Sequence, residues 1–535
     1  MAFRPSANNI KHILELWPEA EWVGEANDAL LQYYDMEIEA ENTRVDKHVE
    51  IHDDGSYEYQ RNPMDHQRQA FLLSRDKKSF GLFMEQGTGK TKVILDNAAY
   101  LFERDLIDML VVVAWPNGVH RNWVDNELHE DIPERIKYKA AYWRPTLPKY
   151  RQKEYDELIK RKDCLKIFTF NVEAFSSEKA KSWLERCLLE NRCMFVIDQS
   201  ASIKNSQAKR TKFLTKKMAG LAPYRRILDG QPVAEGAEEL YSQFLFLDPL
   251  ILNHDTLTSY KAEFCKLGFF KEVVGYKNMS ELHKRIDGFS YRVLEKDCMD
   301  LPQRRYMRWT FELDSGERRI YDEMNSHKLA YFNENDKENP LTAELALVKN
   351  LRLQQISSGW WPEKGNFRPI GNRHSRIEAM KSLIKSLEGK VLIFSRFRAD
   401  LALLEETFGD EAVSYHGGVS EDDRALAKKR FMTDDSIRFF IGQPRNAGIG
   451  HTLTAAKHVV FYNNDPSLRF REESEKRAHR KGIEKTLAQN EKLMIWDVIA
   501  NDTQDIKIVN SLRLKKDVSV AILQDPESFF LLEEE

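Results

Sequence analysis

The chain has 535 residues, 42% hydrophobic and 31% charged, a length that calls for more than one core and a balance that excludes wholesale disorder and collagen-like or mucin-like chains. Its 81 Lys and Arg against 85 Asp and Glu leave a formal net charge of -4, so a nucleic-acid partner would have to be held by local basic patches rather than by a globally cationic surface. The five cysteines are odd in number, and none stand at the spacing of a zinc ribbon or finger, which points to a reduced, intracellular protein.

The amino terminus lacks the apolar segment of a secretory signal. No stretch approaches the ~20 apolar residues of a membrane span, and a cytoplasmic location is expected. Residues 1–62 read as a small accessory unit, in which Val49, Ile51, Tyr57 and Tyr59 alternate around Asp54-Gly55 and predict a hairpin. From residue 63 to 250, short apolar runs are separated by polar, helix-forming stretches: Gly81 to Met84, Met109 to Ala114, Met194 to Ile197 and Arg226 to Leu228. Buried strands alternating with helices predict a parallel α/β sheet. Residues 251–374 place charged and aromatic residues at helical spacing with breaks at Leu301-Pro302 and Asn339-Pro340, predicting a mostly helical insertion. Residues 375–535 return to the first pattern, with runs Val391 to Phe394, Phe439 to Ile441, Val459 to Tyr462 and Leu493 to Trp496. Two α/β cores follow, and no repeat of the length used by solenoids or propellers is visible.

The most informative segment is Gly81-Leu-Phe-Met-Glu-Gln-Gly87-Thr88-Gly89-Lys90-Thr91, an apolar strand running into a glycine turn and then a helix. It reads as a phosphate-binding loop. Gly87 and Gly89 let backbone N–H groups face phosphates, Lys90 reaches the β/γ oxygens, and the Thr91 hydroxyl suits a Mg²⁺ ligand at the helix start. Met84 stands where the strictest form of the pattern has its first glycine. An ordinary glycine turn is the plainer alternative, but strand and helix flank this one correctly. A second nucleotide element is the buried run Cys193 to Ile197 ending in Asp198-Gln199. Asp198 is suited to hold magnesium through water; its plainer role is to cap the next helix. About twenty residues before the loop, Pro63-Met-Asp-His66-Gln67 offers an amide that can pair with an adenine edge, although a surface amide would look the same.

These motifs, in this order, resemble the superfamily 2 helicases, and most closely the compact Swi/Snf-like DNA translocases of the kind phages encode. The resemblance runs from about Pro63 to Leu512 and implies two RecA-like parallel-sheet cores. Val111 to Ala114 followed by Trp115-Pro-Asn117-Gly-Val-His120-Arg121-Asn122-Trp123 looks like motif Ia, where a strand end meets the nucleic-acid backbone. Ile203-Lys204-Asn205 is similar to the segment after motif II, and Arg226-Ile-Leu-Asp229-Gly230-Gln231-Pro232 sits where motif III belongs. Tyr291-Arg292 and Leu351 to Ile356 look like inter-lobe elements. In the second core, Val391 to Phe394 with Ser395-Arg396-Phe397 resembles motif IV. Gln443-Pro-Arg445, then Gly448-Ile-Gly450-His-Thr452, looks like motif V, and Glu473 to Arg480 like motif VI. The i, i+3 spacing of Arg477 and Arg480 puts both on one helix face. In the family such arginines reach across the cleft to the γ-phosphate, stabilising charge in phosphoryl transfer together with Lys and Mg²⁺.

The resemblance assigns ATP and Mg²⁺ as cofactors. It assigns Gln67, Gly87, Thr88, Gly89, Lys90, Thr91 and Gly450 to nucleotide, Thr91 and Asp198 to metal, and Lys90, Asp198, Gln199, Arg477 and Arg480 to catalysis. Nucleic-acid contacts are expected from Asn117, Arg121, Lys204, Arg396, Arg445 and Thr452. Such contacts read charge and shape, so a sequence-nonspecific grip on duplex or branched DNA by a monomer is implied.

The chain departs from the family at catalytic positions. Gln199 replaces the glutamate that activates water, and a neutral amide orients water without taking its proton. Asp229 replaces a hydroxyl residue beside the motif III glycine, and Glu473 replaces glutamine at the start of motif VI. The expectation is an ATP-dependent DNA translocase of branch-migration or annealing type with impaired hydrolysis. The alternative is a nucleotide-gated DNA clamp that does not turn over. An RNA helicase is opposed by the long insertion, a small-molecule kinase by the second core, and a nuclease by the lack of clustered metal ligands.

Overall fold

The computed structural model describes residues 13, 25–47, 51, 53–115, 119–146, 148–269, 271–298, 301–327, 329–330, 341–342, 346–363, 366–371, 374–447 and 452–523. These divide into two compact units between Cys298 and Met299, with the described residues from Val518 onward counted to the first.

The first unit holds strands β1 (Ser79–Met84), β2 (Met109–Ala114), β3 (Tyr138–Tyr142), β4 (Leu165–Asn171), β5 (Cys193–Asp198), β6 (Tyr224–Leu228), β7 (Cys265–Leu267), β8 (Val273–Tyr276) and β9 (Ser290–Val293). Seven of them form one sheet in the order β3-β4-β2-β5-β6-β1-β9, with every pair parallel. β7 and β8 make a separate antiparallel hairpin. Alternate residues feed two opposed layers, as a sheet covered on both faces requires. Met109, Val111 and Val113 enter a core with Trp183 and Leu184, while Leu110, Val112 and Ala114 enter one with Ile94 and Phe71.

The second unit holds β10 (Arg304–Phe311), β11 (Leu329–Ala330), β12 (Leu341–Thr342), β13 (Trp360–Glu363), β14 (Asn366–Pro369), β15 (Lys390–Phe394), β16 (Ala412–Tyr415), β17 (Phe439–Gly442), β18 (Ala456–Phe461) and β19 (Leu493–Ala500). Six strands form a second sheet, β10-β19-β18-β15-β17-β16, again parallel throughout. Leu392 and Phe394 face one core and Val391 and Ile393 the other. The two α/β parallel-sheet cores expected from the sequence are present.

The stretch 251–374, read as mostly helical, carries helices such as Leu257–Phe264 and Met279–Asp287, but also β9 and β10. β9 pairs with β1 in the first sheet, and β10 pairs with β19 in the second. Both are edge strands, whose polar alternate residues blur the strand signal. The hairpin expected around Asp54-Gly55 is replaced, among the described residues 53–60, by a turn without strands. Asp53 and Asp54 carboxylates accept the N–H groups of Gly55 and Ser56. Tyr57 instead buries its ring 5.2 Å from that of Phe71. Among the described residues no helix is long and apolar enough to cross a membrane.

Candidate nucleotide site

In the first unit, β1 ends at Met84 and the helix Lys90–Glu103 begins directly after the glycine turn. Gly87 and Gly89 have φ of 90° and 88°, a region in which side chains are strained. A methyl group on Gly89 would also stand 2.2 Å from Gln67 Nε2. The loop is held from outside: Gln67 Nε2 donates to the Thr88 carbonyl at 3.0 Å, and the His66 ring lies 2.9 Å from the same oxygen. Gln67 Oε1 accepts the Met64 N–H at 3.1 Å. Both ends of the amide assigned to adenine therefore brace the turn in this structure. Thr88 donates its hydroxyl to the Glu85 carbonyl at 2.7 Å. Lys90 donates to the carbonyls of Met84 and Glu85 at 2.7 and 3.2 Å.

β5 delivers Asp198 at its carboxyl end, where ligands bind in open parallel sheets. The carboxylate accepts the indole N–H of Trp123 at 3.0 Å. Burial raises the Asp198 pKa, opposed by the Trp123 hydrogen bond and the charge of Lys90. Gln199 sits in the left-handed region with φ 60° and opens the turn Ser200–Ile203. That turn is tied to the end of β6 by Asp229, whose carboxylate accepts the N–H of Ala201 at 2.8 Å and that of Gln231 at 2.9 Å. Asp229 is thus a brace between two backbone segments. A methyl on Gly230 would meet the backbone of Met84, Glu85 and Gln86 at 3.2 to 3.3 Å, so this segment packs directly on the glycine turn.

The site fits magnesium and a triphosphate by its donor set. The glycine turn and helix start present N–H groups and one lysine, while the Thr91 hydroxyl and Asp198 carboxylate are the hard oxygen ligands that Mg²⁺ takes in small number, with phosphate and water completing its shell. No group of three or more His, Cys, Asp or Glu among the described residues is placed to hold a metal ion.

Of the nucleic-acid candidates in this unit, Arg121 is exposed, its guanidinium 5.6 Å from the Tyr142 ring centre. Lys204 is paired with Glu239, whose other oxygen accepts the N–H of Ala234 at 2.8 Å. Asn117 lies outside the described residues.

In the second unit the helix Leu468–Ala478 ends before Arg480, which corrects the expectation that Arg477 and Arg480 share one helix face. The chain leaves the helix at His479, and Gly482, with φ 107°, follows in the turn. Arg477 is fully buried and donates from Nε to the Glu473 carbonyl at 2.9 Å. Burial, joined by the neighbouring Arg480 charge, holds its guanidinium well below the usual arginine range. Arg480 donates to the Thr452 hydroxyl at 3.4 Å, and Leu453 N–H donates to the Arg477 carbonyl at 2.8 Å. The segment read as motif V is therefore fastened to both arginines. Gly450 lies outside the described residues.

Arg396 and Arg445 converge on the buried Asp465 carboxylate, at 3.9 and 3.3 Å. Arg396 also donates to Gln354, which donates in turn to the Asn464 carbonyl at 2.9 Å. Sequence reasoning assigned no role to Trp123, Glu239, Gln354 or Asp465. Asp465 had a signal of a kind, as it follows shortly on β18, where polar residues at a strand end gather near ligands. Trp123 carries no signal beyond its place in the segment that resembles motif Ia.

Comparison with known proteins bears on this arrangement. A family model described as the SNF2-related domain matches residues 65–358, and one described as the helicase conserved C-terminal domain matches residues 375–482. The CHD3-type chromatin-remodeling factor PICKLE of Arabidopsis thaliana is 24% identical over 461 residues, 81% of this chain and 32% of that protein. The DNA annealing helicase and endonuclease ZRANB3 of Bos taurus is 24% identical over 471 residues, 85% of this chain and 40% of that protein. The chain thus spans about a third to two-fifths of the length of these relatives. Among solved structures, the Sulfolobus solfataricus SWI2/SNF2 ATPase core in complex with dsDNA is 21% identical, covering 90% of this chain and 96% of that one with a TM-score of 0.38. With the first model covering more than half of its length, the chain belongs to the SNF2-related family.

Proposed function

We propose that this chain binds ATP with Mg²⁺ and uses it to move on, or remodel, double-stranded DNA, with hydrolysis slowed by Gln199. The observation that carries the reading is the glycine turn, clamped at Thr88 by Gln67 and His66, which presents Lys90 close enough to Asp198 for its charge to oppose the rise that burial gives that carboxyl's pKa. In this reading the N–H groups around Gly87 and Gly89 cradle the phosphates, and Lys90 leaves the Met84 and Glu85 carbonyls for the β/γ oxygens. Bound Mg²⁺ supplies positive charge to the β- and γ-oxygens. Thr91 and Asp198 hold it, Gln199 orients the attacking water without accepting its proton, and Arg477 and Arg480 are assigned to the γ-phosphate. Lys204, Arg396, Arg445 and Thr452, with Arg121 and Asn117, are assigned to the DNA backbone, which makes the grip salt-sensitive and sequence-tolerant. The annealing activity in the name of ZRANB3 supports a stroke that rewinds or branch-migrates strands.

A second reading, a nucleotide-gated DNA clamp without turnover, is favoured by one observation: the carboxylate of Asp229 is spent on the Ala201 and Gln231 backbone, so it does not supply the base that Gln199 lacks. Phosphate release with and without duplex, forked and single-stranded DNA separates the two. DNA-stimulated turnover rising about a hundredfold or more in Gln199→Glu supports the motor. No release from either chain, with DNA affinity still responding to nucleotide, supports the clamp.

A further inference from the structure

We propose that Trp123 is a positioning residue that orients the Asp198 carboxylate for its cation and transmits to it the presence of nucleic acid at Arg121; this rests on the reading of the site as one for Mg²⁺ and ATP. The indole is 2% exposed and gives its single N–H to Asp198 Oδ2 at 3.0 Å. An indole N–H donates and cannot accept, so it holds one carboxylate oxygen in place, and the Gln199 backbone N–H also bonds to the group. Outer-shell donors of this kind fix the rotamer of a metal-holding carboxylate, and their loss costs about 10–100-fold in metal affinity.

The segment that carries Trp123 is unusual. Val119–Asn122 and Leu128–Asp131 are short α-helices, and between them Trp123–Glu127 winds as a π-turn. Such turns are rare and gather at functional sites, because the extra residue redirects side chains. Side chains lock this one together: Asn126 donates to Asn122 Oδ1 at 2.7 Å, and Asn122 donates to Glu127 Oε1 at 2.9 Å. One residue upstream of Arg121, the His120 carbonyl accepts the Thr169 hydroxyl at 2.7 Å, anchoring the segment to β4. Arg121, exposed beside Tyr142, is two residues from Trp123 on this braced piece of chain. A phosphate drawn to Arg121 therefore acts on a hydrogen-bonded piece of chain whose Trp123 holds Asp198. Simple packing of an indole against the nearest acceptor predicts no such link.

The test is Mg²⁺-dependent binding of a fluorescent ATP analogue to the full chain, with and without duplex DNA. In the unaltered chain Mg²⁺ tightens binding, and DNA shifts the Mg²⁺ midpoint. Trp123→Phe is expected to raise that midpoint at least about tenfold and to abolish the DNA shift, while leaving binding in EDTA unchanged. An unchanged midpoint together with an intact DNA shift would overturn the inference. Should Trp123→Phe melt early, 3-benzothienylalanine at position 123 keeps the ring shape and replaces only the N–H with sulfur, and the same two results decide. Absence of any Mg²⁺-dependent nucleotide binding in the unaltered chain would instead remove the nucleotide reading itself, and this inference with it.

Discussion

At Gly89 the backbone conformation and the neighbouring amide make the same demand. With φ at 88° and Gln67 Nε2 at 2.2 Å from where a methyl would lie, Gly89→Ala forces both a strained backbone and displacement of the amide that clamps Thr88. The expected outcome is loss of nucleotide binding, read by analogue fluorescence, with a stability loss of about 1–2 kcal/mol in chemical denaturation. His120 makes a different prediction. Burial, and the charge of Arg121, lower its pKa to about 4, so below the ordinary histidine range the unfolded chain takes up a proton that the folded one refuses. Its contribution is present above about pH 6.5 and lost as the pH falls through that window toward 4. Asp96 and Asp400 act oppositely, since burial raises each to about 6 and their contribution fades as the pH rises toward that value. The histidine is isolated by comparing the chain with His120→Gln: denaturant midpoints should converge between pH 7 and pH 5. Midpoints whose difference ignores pH would refute it.

At the scale of elements, the first sheet is fastened to the helix before the glycine turn by one buried guanidinium. Arg226 on β6 donates to the carbonyls of Ser74 and Lys77 at 2.7 Å each, and to Asn97 Oδ1 at 3.2 Å. Ser74 closes the helix Asp65–Ser74 that carries Gln67, and Asn97 belongs to the helix Lys90–Glu103. A guanidinium satisfies such orphaned helix-end carbonyls and complements the negative end of the helix dipole. Burial pulls its pKa down to about 9, a measure of what desolvating it costs. Arg226→Ala removes the donors, strands the carbonyls and leaves a cavity, and is expected to cost about 3 kcal/mol or more in urea unfolding. The same scale shows what the sequence disclosed about elements. β2, a run of Met109, Leu110 and three valines ending in Ala114, is legible because both faces are buried and no polar residue interrupts it. β4 is obscured by Lys166, buried in its second position beside Asn191, and β10 by Arg304, Arg305 and Arg308, which break up its apolar residues.

For the whole molecule, each unit has its own hydrophobic layers and a buried arginine that ties separate backbone segments together. In the second unit Arg376 donates to the carbonyls of Tyr462 and Val498 at 2.6 and 2.8 Å and pairs with Asp505, doing there what Arg226 does in the first. Two cores with separate interior clusters unfold as separate cooperative units unless their interface dominates. Calorimetry should therefore resolve two transitions, with Arg226→Ala lowering one and Arg376→Ala lowering the other. A single transition lowered equally by both substitutions would contradict this.

The glycine turn, the strand that feeds it, Asp198 at the end of a buried run and the doubling of the α/β pattern are legible in the chain alone. Each is written in consecutive residues whose periodicity or glycine content has one local meaning. The Gln67 clamp on the turn, the Asp229 brace between two backbones, the place of Arg480 beyond its helix and the sharing of Asp465 by Arg396 and Arg445 come from the packed fold. The bond from Trp123 to Asp198 joins residues 75 positions apart. Hydrogen bonds of that reach leave no mark on local composition, because any donor and acceptor of the right type satisfy them once the fold has brought the two chain segments within about 3 Å.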